Sequence, residues 1–246
     1  MAKRLSPGAR NRPPPIENRL LAALPPADYK RIFALLEVVS PKLKTVLHKP
    51  GEPIRHVYFP GTGFCSILTV LQDGNMVEVA TIGNEGMIGT SLALDGSAPF
   101  STSMVQGEGA SYRMTAAAFL EEMNRRGVFS VLLMRFAQAF IGVVMVSTAC
   151  NAVHSIEQRL ARWLLMARDR MHDDEFPLTQ EFVAMMLGAT RPTVTVVAGT
   201  LQRAGLITYH RGHVTILDGG KLEAASCECY QTATNLLRSV TDGHRN

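Results

Sequence analysis

The sequence predicts an α+β chain in which an antiparallel β-region comes first, a long apolar helix second, and a helix-turn-helix with a β-hairpin last. Three observations predict this order. Short β-favouring runs alternate with glycine-bearing turns across residues 40–114, residues 129–153 carry Arg135 as their one charge, and two capped amphipathic segments followed by two β-favouring runs fill residues 178–217. With 246 residues, 46% of them hydrophobic, the chain has enough apolar material to build real cores.

Residues 1–15 differ in composition from the rest of the chain, being basic, rich in proline and poor in apolar side chains. This composition predicts a disordered tail. Because no apolar segment follows the basic start, we expect no signal peptide and a cytoplasmic protein. Residues 18–24 and 25–36 then follow helical spacing, and the second segment begins with two prolines, which the first turn of a helix tolerates. Its predicted inward residues are Tyr29, Ile32, Phe33 and Leu36.

Six β-favouring runs follow, separated by glycine-bearing turns. Their short lengths and spacing predict a compact antiparallel sandwich or barrel. The runs are residues 46–47, 56–59, 65–71, 76–82, 102–105 and 110–112. A helical segment at 115–125 and a break at Gly127 end this region, so we assign residues 16–127 to a first domain.

Residues 128–153 are assigned to one long helix. Side chains on it at alternating spacings of three and four predict a coiled-coil seam, and therefore a homodimer. The seam comprises Leu133, Phe136, Phe140, Val143, Ser147 and Cys150. A membrane span is the competing interpretation because residues 136–153 are uncharged, but Gln138 and Asn151 dilute the stretch and no second span exists. We therefore predict no membrane association.

Residues 154–219 are assigned to a second domain. Ser155 is a good N-cap for its first helix, whose apolar stripe is Ile156, Leu160, Trp163 and Leu164. Residues 220–246 are typical of a C-terminal helix and tail, with the helix at 221–240. We assign that helix no role beyond packing.

Two further helices and a hairpin are predicted within residues 178–217. Thr179 caps the first helix, and Gly188 supplies the positive φ that ends it. Thr190 caps the second helix, which carries Pro192 in its first turn, where a missing N–H costs nothing. The β-favouring runs at 206–210 and 213–217 are joined by a tight turn at Arg211 and Gly212.

A helix, a short glycine-bearing turn and a second helix make a helix-turn-helix, in which the second helix enters the major groove of DNA. Residues 182–217 contain three arginines and neither Asp nor Glu, and the net charge of +4 permits a polyanionic partner. We therefore predict a winged helix that binds double-stranded DNA. The predicted DNA-contacting residues are Arg191, Thr193 and Thr195 at base edges, Arg203, Arg211 and His213 at phosphates, and Thr179 and Gln180 beside them. The alternative is another kind of α+β domain, in which two packed helices and a hairpin touch no DNA.

The segment LTQEFVAMMLGATRPTVTVVAGTLQRAGLI at residues 178–207 resembles the DNA-binding part of the Crp/Fnr family of regulators. Members typically carry Arg-Glu-Thr-Val where residues 191–194 read Arg-Pro-Thr-Val here, and a basic residue where this chain has Val196. Pro192 and Val196 are departures that alter the expected operator sequence, whereas Arg191 remains the best candidate for a bidentate guanine contact. The resemblance implies a homodimeric transcription regulator that is joined by its long helix, acts on an inverted-repeat operator and contacts RNA polymerase.

The β-region resembles the cyclic-nucleotide-binding β-roll of the same family, with KPGEP at 49–53, HVYF at 56–59 and GNEGMIG at 83–89 where turns are expected. In nucleotide-binding members a Gly-Glu pair and a later Arg-Ser pair hold the ribose and the cyclic phosphate. Gly89-Thr90 and Phe100-Ser101 occupy those places here, so both gripping charges are missing. We therefore predict a degenerate effector pocket and no control by cyclic AMP. An effector that is apolar or weakly polar, and a purely structural roll, remain alternatives.

The cysteines and histidines predict no metal and no cofactor. Residues 1–64 contain no cysteine, which excludes the N-terminal iron–sulfur cluster of some family members, and His48 and His56 are more typical of surface residues than of haem ligands. Cys227-Glu-Cys229 lacks the second pair that a structural zinc site needs, which leaves a thiol switch or a packed helix.

No sequence motif indicates catalysis. The chain has no Gly-rich phosphate loop, no His-Glu-x-x-His and no Gly-x-Ser-x-Gly, so we predict that it is not an enzyme. The alternative to a DNA-binding regulator is a small-molecule receptor or dimerisation adaptor that has lost DNA binding.

Overall fold

The computed structural model describes residues 16–72, 74–94 and 96–242 of the chain, so the predicted tail at 1–15 lies outside the described residues. The elements follow the predicted order. Two short helices come first, α1 (Arg19–Ala22) and α2 (Pro26–Phe33). Asn18 caps α1 through its side-chain oxygen and donates to the carbonyls of Pro60 and Gly86, both at 2.9 Å, so this helix is tied to the β-region behind it.

The β-region consists of two antiparallel sheets with the strand orders β1-β7-β3 and β2-β6-β4-β5. The strands are β1 (Glu37–Val39), β2 (Val46–His48), β3 (His56–Pro60), β4 (Phe64–Val70), β5 (Met76–Ile82), β6 (Thr102–Gly107) and β7 (Ser111–Thr115). Strand β1 was not predicted, because its three residues have no period of their own and are ordered by pairing with β7. Side chains such as Phe59, Ile82 and Met114 fill the space between the sheets.

Three helices cover this roll: α3 (Thr90–Ala93), α4 (Ala116–Asn124) and α5 (Val128–Val153). The predicted seam of α5 lies inside the chain rather than on its surface. Leu133, Phe136, Val143, Ser147 and Cys150 are buried, and Phe140 is half-buried and stacks on Phe136 with the ring centroids 5.9 Å apart. The seam assignment was therefore wrong. The helix is apolar on two faces, and packing against the roll takes up the face with the larger aromatic side chains.

The opposite face of α5 is exposed and has the same alternating spacing. Val131, Met134, Ile141 and Met145 are 46%, 47%, 49% and 68% exposed, and Gln138 completes the row between them. We call these five residues the outer stripe. The helix is long and apolar enough to cross a membrane, and 44% of the 18-residue window that meets this test is buried in the protein.

The C-terminal half forms a winged helix followed by two more helices. Its elements are α6 (Ile156–Met171), β8 (Glu175–Pro177), α7 (Gln180–Leu187), α8 (Arg191–Arg203), β9 (Ile207–His210), β10 (His213–Ile216), α9 (Gly219–Ala225) and α10 (Cys229–Asp242). The single C-terminal helix predicted at 221–240 is instead two helices broken after Ala225. Helix α10 returns along α5, where Ala233, Leu237 and Val240 join the core of the roll.

The roll and the winged helix share an interior. Phe64, Leu68 and Met104 of the roll belong to one apolar cluster with Trp163 and Met186 of the winged helix. Two polar links, one buried and one partly buried, cross the same boundary. Arg170 on α6 forms an ion pair of 2.6 Å with Glu85, both side chains being 7% exposed, and the indole Nε1–H of Trp163 donates to Glu78 at 2.9 Å. The two halves are therefore held against each other by specific contacts.

Candidate nucleic-acid interface

Helices α7 and α8 form the predicted helix-turn-helix and are inclined to each other by 103°. The side chain of Thr179 accepts a hydrogen bond of 3.2 Å from the amide of Phe182, which fixes the start of α7. Gly188 has a φ of 58° and ends α7 in the left-handed conformation that glycine adopts most easily. Thr190 caps α8 by accepting from the amide of Thr193. Local residue chemistry therefore sets the angle at which α8 is presented.

Helix α8 buries one side and exposes the other. Val194, Ala198 and Leu201 are buried on its inner side. Its first turn exposes Arg191 and Pro192 to solvent, and the next turn exposes Thr195 and Val196. The exposed N-terminal end of the second helix is the part that meets base edges in a helix-turn-helix.

The two threonines of this end are already engaged within the protein. The Thr195 hydroxyl lies 2.9 Å from the side-chain oxygen of Gln180 and 3.0 Å from the carbonyl of Arg191, so its single proton is used inside the motif. The Thr193 hydroxyl is half-buried and lies 2.9 Å from that of Thr190. Gln180 therefore links α7 to α8, and the Thr195 hydroxyl has no free proton to donate outside the motif.

The wing packs beside the start of α7. Arg211 and Gly212, with φ of 48° and 80°, form the turn between β9 and β10, and the carbonyl of Gly212 accepts from the amide of Leu178 at 2.7 Å. Tyr209 donates its hydroxyl to the carbonyl of Leu178 at 2.7 Å. Burial raises the pKa of Tyr209 to about 12, so the hydroxyl keeps its proton and remains a donor. Sequence reasoning missed this anchor, because nothing local links a wing tyrosine to a carbonyl 31 residues earlier.

A third strand also supports the wing. Strand β8 pairs with β10, with Phe176 opposite Val214, and extends the hairpin to the order β8-β10-β9. It was not predicted because three residues are too few for a β-period. The added strand carries the chain into Leu178 and Thr179 and so fixes where α7 begins.

The structure brings most of the predicted DNA-contacting residues together. Thr179 and Arg191 lie near the wing: a Cβ on Gly212 would be 3.8 Å from Thr179 Cγ2, and the charge of Arg191 acts on the Tyr209 hydroxyl. Gln180 bonds to Thr195 on α8. Arg211 and His213 are exposed on the wing. Arg203 stands apart at the other end of α8, about 18 Å away at a rise of 1.5 Å per residue. Arg203 is therefore separate from the other predicted residues.

Two family models match the chain in the order that the fold shows. The cyclic nucleotide-binding domain matches residues 39–126, and the Crp-like helix-turn-helix domain matches residues 158–225. Together they span well over half of the chain. The chain belongs to the Crp/Fnr family of transcription regulators. It is a DNA-binding regulator rather than an enzyme, as predicted.

Solved structures similar to this Crp/Fnr regulator share its fold at low sequence identity. A Crp/Fnr-family transcriptional regulator from Eubacterium rectale is 20% identical, with 84% of this chain and 96% of that chain covered and a TM-score of 0.64. A CRP-family regulator from Thermus thermophilus is 22% identical (76% and 96% covered, TM-score 0.63), and the c-di-GMP-responsive global regulator CLP of Xanthomonas campestris is 14% identical (78% and 99% covered, TM-score 0.60). No curated protein matches the regulator by sequence.

The predicted effector positions of the regulator do not form a pocket around Phe100. Phe100 is 96% exposed, so the expectation that it lines a pocket was wrong. Gly89 precedes α3 with a φ of 98° and is buried so closely that a Cβ would lie 3.0 Å from Val57 Cγ1. Thr90 donates its hydroxyl to the carbonyl of Met87 at 3.3 Å, and Ser101 is half-buried. None of these four side chains carries a charge that could hold a phosphate.

His48 differs from the surface residue that was expected. His48 is 7% exposed, and its Nε2 lies 2.8 Å from the carbonyl of His56, to which it donates when the ring is neutral. Burial lowers the pKa of His48, which favours this neutral form. His48 is therefore a buried residue that ties two strands together through its ring.

An apolar cavity lies where the roll meets the winged helix. It encloses about 300 Å³, and Phe64, Trp163, Phe176 and Phe182 form much of its wall. This volume is at the lower end of the range for small-molecule sites. The cavity is next to Thr179, so the space for an apolar molecule lies beside α7 rather than around Phe100.

Proposed function

We propose that the regulator is a cytoplasmic homodimer that reads an inverted-repeat operator with α8, contacts RNA polymerase and is not controlled by cyclic AMP. We also propose that residues 16–127 form its roll domain, 128–153 its dimerisation helix, 154–219 its DNA-binding domain and 220–246 its C-terminal helices and tail. One observation carries the proposal: Arg191, in the exposed first turn of α8, is near enough to act on Tyr209 of the wing, and the exposed Arg211 of the wing turn lies in the same carboxylate-free segment.

The outer stripe of α5 is the dimer surface that we propose in place of the predicted seam. Its four apolar members are each about half exposed or more and follow one face of the helix at spacings of three and four. A continuous apolar row of this kind is unfavourable in water and suits a coiled-coil contact with a second copy. Gln138 within the row would limit the register of the pair, as a single polar residue does in such seams.

Charging the outer stripe tests the dimer. Ile141→Glu should give monomers in light scattering, because two carboxylates would meet at the interface. Val70→Glu is the matched control: Val70 is 45% exposed at the end of β4, so this variant should stay dimeric. If Ile141→Glu remains dimeric, the interface lies elsewhere on the chain.

The operator follows from the symmetry of the dimer. Two α8 helices related by a twofold axis should enter successive major grooves about 34 Å apart, so half-site centres should be about 10 base pairs apart. Within a half-site we expect Arg191 to make a bidentate contact with guanine and Thr195 to contribute its methyl group. Pro192 and Val196 offer no hydrogen bonds, so each half-site should require fewer bases than the operators of members with charged residues there.

Selection from a randomised DNA library tests the predicted operator and its contacts with α8. Arg191→Ala should weaken binding to the selected site by roughly 1–3 kcal/mol and relax preference at one base pair, whereas Arg211→Ala should weaken all sequences alike and flatten the salt dependence. Arg55→Ala, at an exposed position on the roll, is the control and should leave binding unchanged. An asymmetric site, or a base preference that survives Arg191→Ala, would remove the proposed role of α8. A wild-type chain that shifts no genomic fragment would favour an adaptor without DNA binding.

A further inference from the structure

The end of α5 and the start of α10 bring four metal-ligating side chains together. Cys150, His154, Cys227 and Cys229 each place a ligand atom within 4.8 Å of the other three. The Sγ atoms of Cys150 and Cys227 are 3.5 Å apart, and Cys229 Sγ is 3.7 Å from His154 Nδ1. The three cysteines are buried and His154 is half-buried, so the cluster is largely closed to solvent.

The backbone explains why these residues meet. Cys150 and His154 are four residues apart at the last turn of α5, where the amide of His154 donates to the carbonyl of Cys150 at 3.0 Å, so both side chains leave the same face. Cys227 and Cys229 flank the point where α9 gives way to α10. The sequence-based conclusion that Cys227 and Cys229 lack a second pair was therefore wrong, since the second pair, Cys150 and His154, lies 73 residues or more earlier in the chain.

The spacings fit one tetrahedral ion. Sulfur atoms bound to Zn²⁺ at about 2.3 Å in tetrahedral geometry are about 3.8 Å apart, and a sulfur and a nitrogen are slightly closer. The two measured separations, 3.5 and 3.7 Å, are close to these values. A disulfide would need sulfur atoms about 2.05 Å apart, and the four cysteines of the chain are free thiols. Three sulfurs and one imidazole make the Cys3His ligand set of structural zinc sites.

The other ring nitrogen of His154 has the partner that a metal-bound histidine requires. Its Nε2 lies 3.3 Å from a carboxylate oxygen of Glu228, which stands between two of the cysteines in sequence. A proton on Nε2 donated to this carboxylate leaves the lone pair of Nδ1 directed at the cluster. Carboxylates in this position orient the ring and increase its basicity as a ligand.

The charges around the cluster supply a second, independent observation. Arg159 and Arg162 on α6 are 8% and 7% exposed, and the Nε of each has no hydrogen-bond partner. Both are near enough for their charges to act on Cys150. Among the described residues neither is within ion-pair distance of a carboxylate, although Glu78 acts on Arg162 from farther away. Arg159 donates to the carbonyl of Leu187 at 2.5 Å, and Arg162 Nη1 lies 3.5 Å from the hydroxyl of Ser147.

Two buried cations without a carboxylate partner are an unfavourable arrangement, because a buried charge needs a counter-charge. One divalent ion with three thiolates carries a net charge of −1. Such a group would provide the anion that the two guanidinium groups lack.

We propose that Cys150, His154, Cys227 and Cys229 bind one Zn²⁺, which fastens α10 to the end of α5. On binding, the three thiols release their protons to solvent and no electrons are transferred. Sulfur and imidazole ligands select zinc over the hard cations Ca²⁺ and Mg²⁺. His154 directly precedes Ser155, the N-cap of α6, so the ion would also fix the junction from which the DNA-binding domain begins.

Metal analysis of the purified, reduced full chain tests the site. We expect about one zinc per chain. Replacement by Co²⁺ should give the visible absorption of a tetrahedral site together with a thiolate charge-transfer band. Cys227→Ser should lose both the zinc and these bands. Cys65→Ala, at the remaining cysteine, which lies in the core of the roll, is the control and should keep them.

Two further variants separate metal binding from a general loss of folding. His154→Cys should retain zinc and strengthen the charge-transfer band, whereas His154→Ala should weaken zinc binding. Glu228→Gln, at a side chain 75% exposed, should weaken it by about 10–100-fold while the fold is kept. A reduced chain that carries less than about a tenth of an equivalent of zinc and gives no tetrahedral cobalt spectrum would overturn the proposal. So would a different native metal, or a Cys150–Cys227 disulfide trapped in freshly lysed cells.

Discussion

The winged helix and the roll have the architecture of one family, but they differ at the positions where that family binds its ligands. In the winged helix, Arg191 and Arg211 are exposed, and capping threonines and the Tyr209 hydrogen bond hold the elements that carry them. In the roll, Thr90 donates its hydroxyl to the carbonyl of Met87, and Phe100 is exposed to solvent. A fold depends on many buried residues spread over its elements, whereas a ligand site depends on a few side chains that can change without disturbing the core.

The roll nevertheless remains joined to the winged helix. The ion pair between Arg170 and Glu85, the Trp163–Glu78 hydrogen bond and a shared apolar cluster all cross the boundary. We infer that the roll of this regulator serves first as the support on which the DNA-binding domain is held. Four predictions test this difference between the two regions.

The largest effect is expected at the buried ion pair. Arg170→Met should lower the free energy of unfolding by about 3–5 kcal/mol, because it leaves the carboxylate of Glu85 buried without its partner. Arg113→Met is the control: Arg113 pairs with Glu37 at the surface, where the side chains are 30% and 64% exposed, and its loss should cost less than about 1 kcal/mol. Chemical denaturation measures both. If both variants lose the same free energy of unfolding, the roll and the winged helix do not depend on the ion pair between Arg170 and Glu85.

A pH-dependent effect is expected at Glu78. Burial raises the pKa of this carboxyl from 4.5 to about 7, against the opposing influence of its hydrogen bonds from Ser66 and Trp163. The folded chain therefore binds this proton more tightly than the unfolded chain, and its stability should fall as the pH rises from about 4.5 to about 7. The fall contributed by Glu78 should be at most about 3 kcal/mol.

Glu78→Gln should remove that contribution, because an amide does not titrate and its oxygen can still accept from Trp163. Denaturation curves at pH 5 and pH 7.5 for both chains measure the difference. Glu121→Gln, at a carboxyl 73% exposed, is the control and should keep the wild-type pH dependence. If the Glu78→Gln variant also keeps the wild-type pH dependence of stability, the Glu78 carboxyl is not its source.

A small effect is expected at Phe100. Because this ring is 96% exposed, Phe100→Ala should change the free energy of unfolding by less than about 0.5 kcal/mol. Phe59→Ala, at a fully buried ring of the same roll, should cost about 3–5 kcal/mol. Thermal unfolding of the two variants provides the comparison. A large loss at Phe100 would show that this ring packs against something in solution.

No effect is expected from cyclic AMP. Calorimetry should detect no binding by the wild-type chain at concentrations that saturate nucleotide-binding family members, since neither Thr90 nor Phe100 supplies a charge for the ribose or the phosphate. DNA binding measured with and without the nucleotide should be the same. Tight binding would mean that other residues of the roll hold the phosphate.

The sequence by itself determined the order of the elements and the local chemistry of the DNA-facing motif. Thr179, Thr190 and Gly188 act on backbone groups within a few residues, so their roles can be read without knowing what lies elsewhere in the fold. The turn at Arg211 and Gly212 and the inner side of α8 are equally local. The family resemblance rested on these same residues, which is why fold and function were predictable together.

Only the tertiary structure decided which residues meet across the fold. The two apolar faces of α5 have the same spacing, and packing alone selected Phe136 for the interior and Met145 for the surface. Strand β1 is ordered by pairing with β7, and strand β8 by pairing with β10. Cys150 lies beside Cys227 because α10 folds back along α5. Periodicity and capping describe the environment of a single element, whereas contacts between distant elements arise from the summed packing of the whole chain, which no local pattern contains.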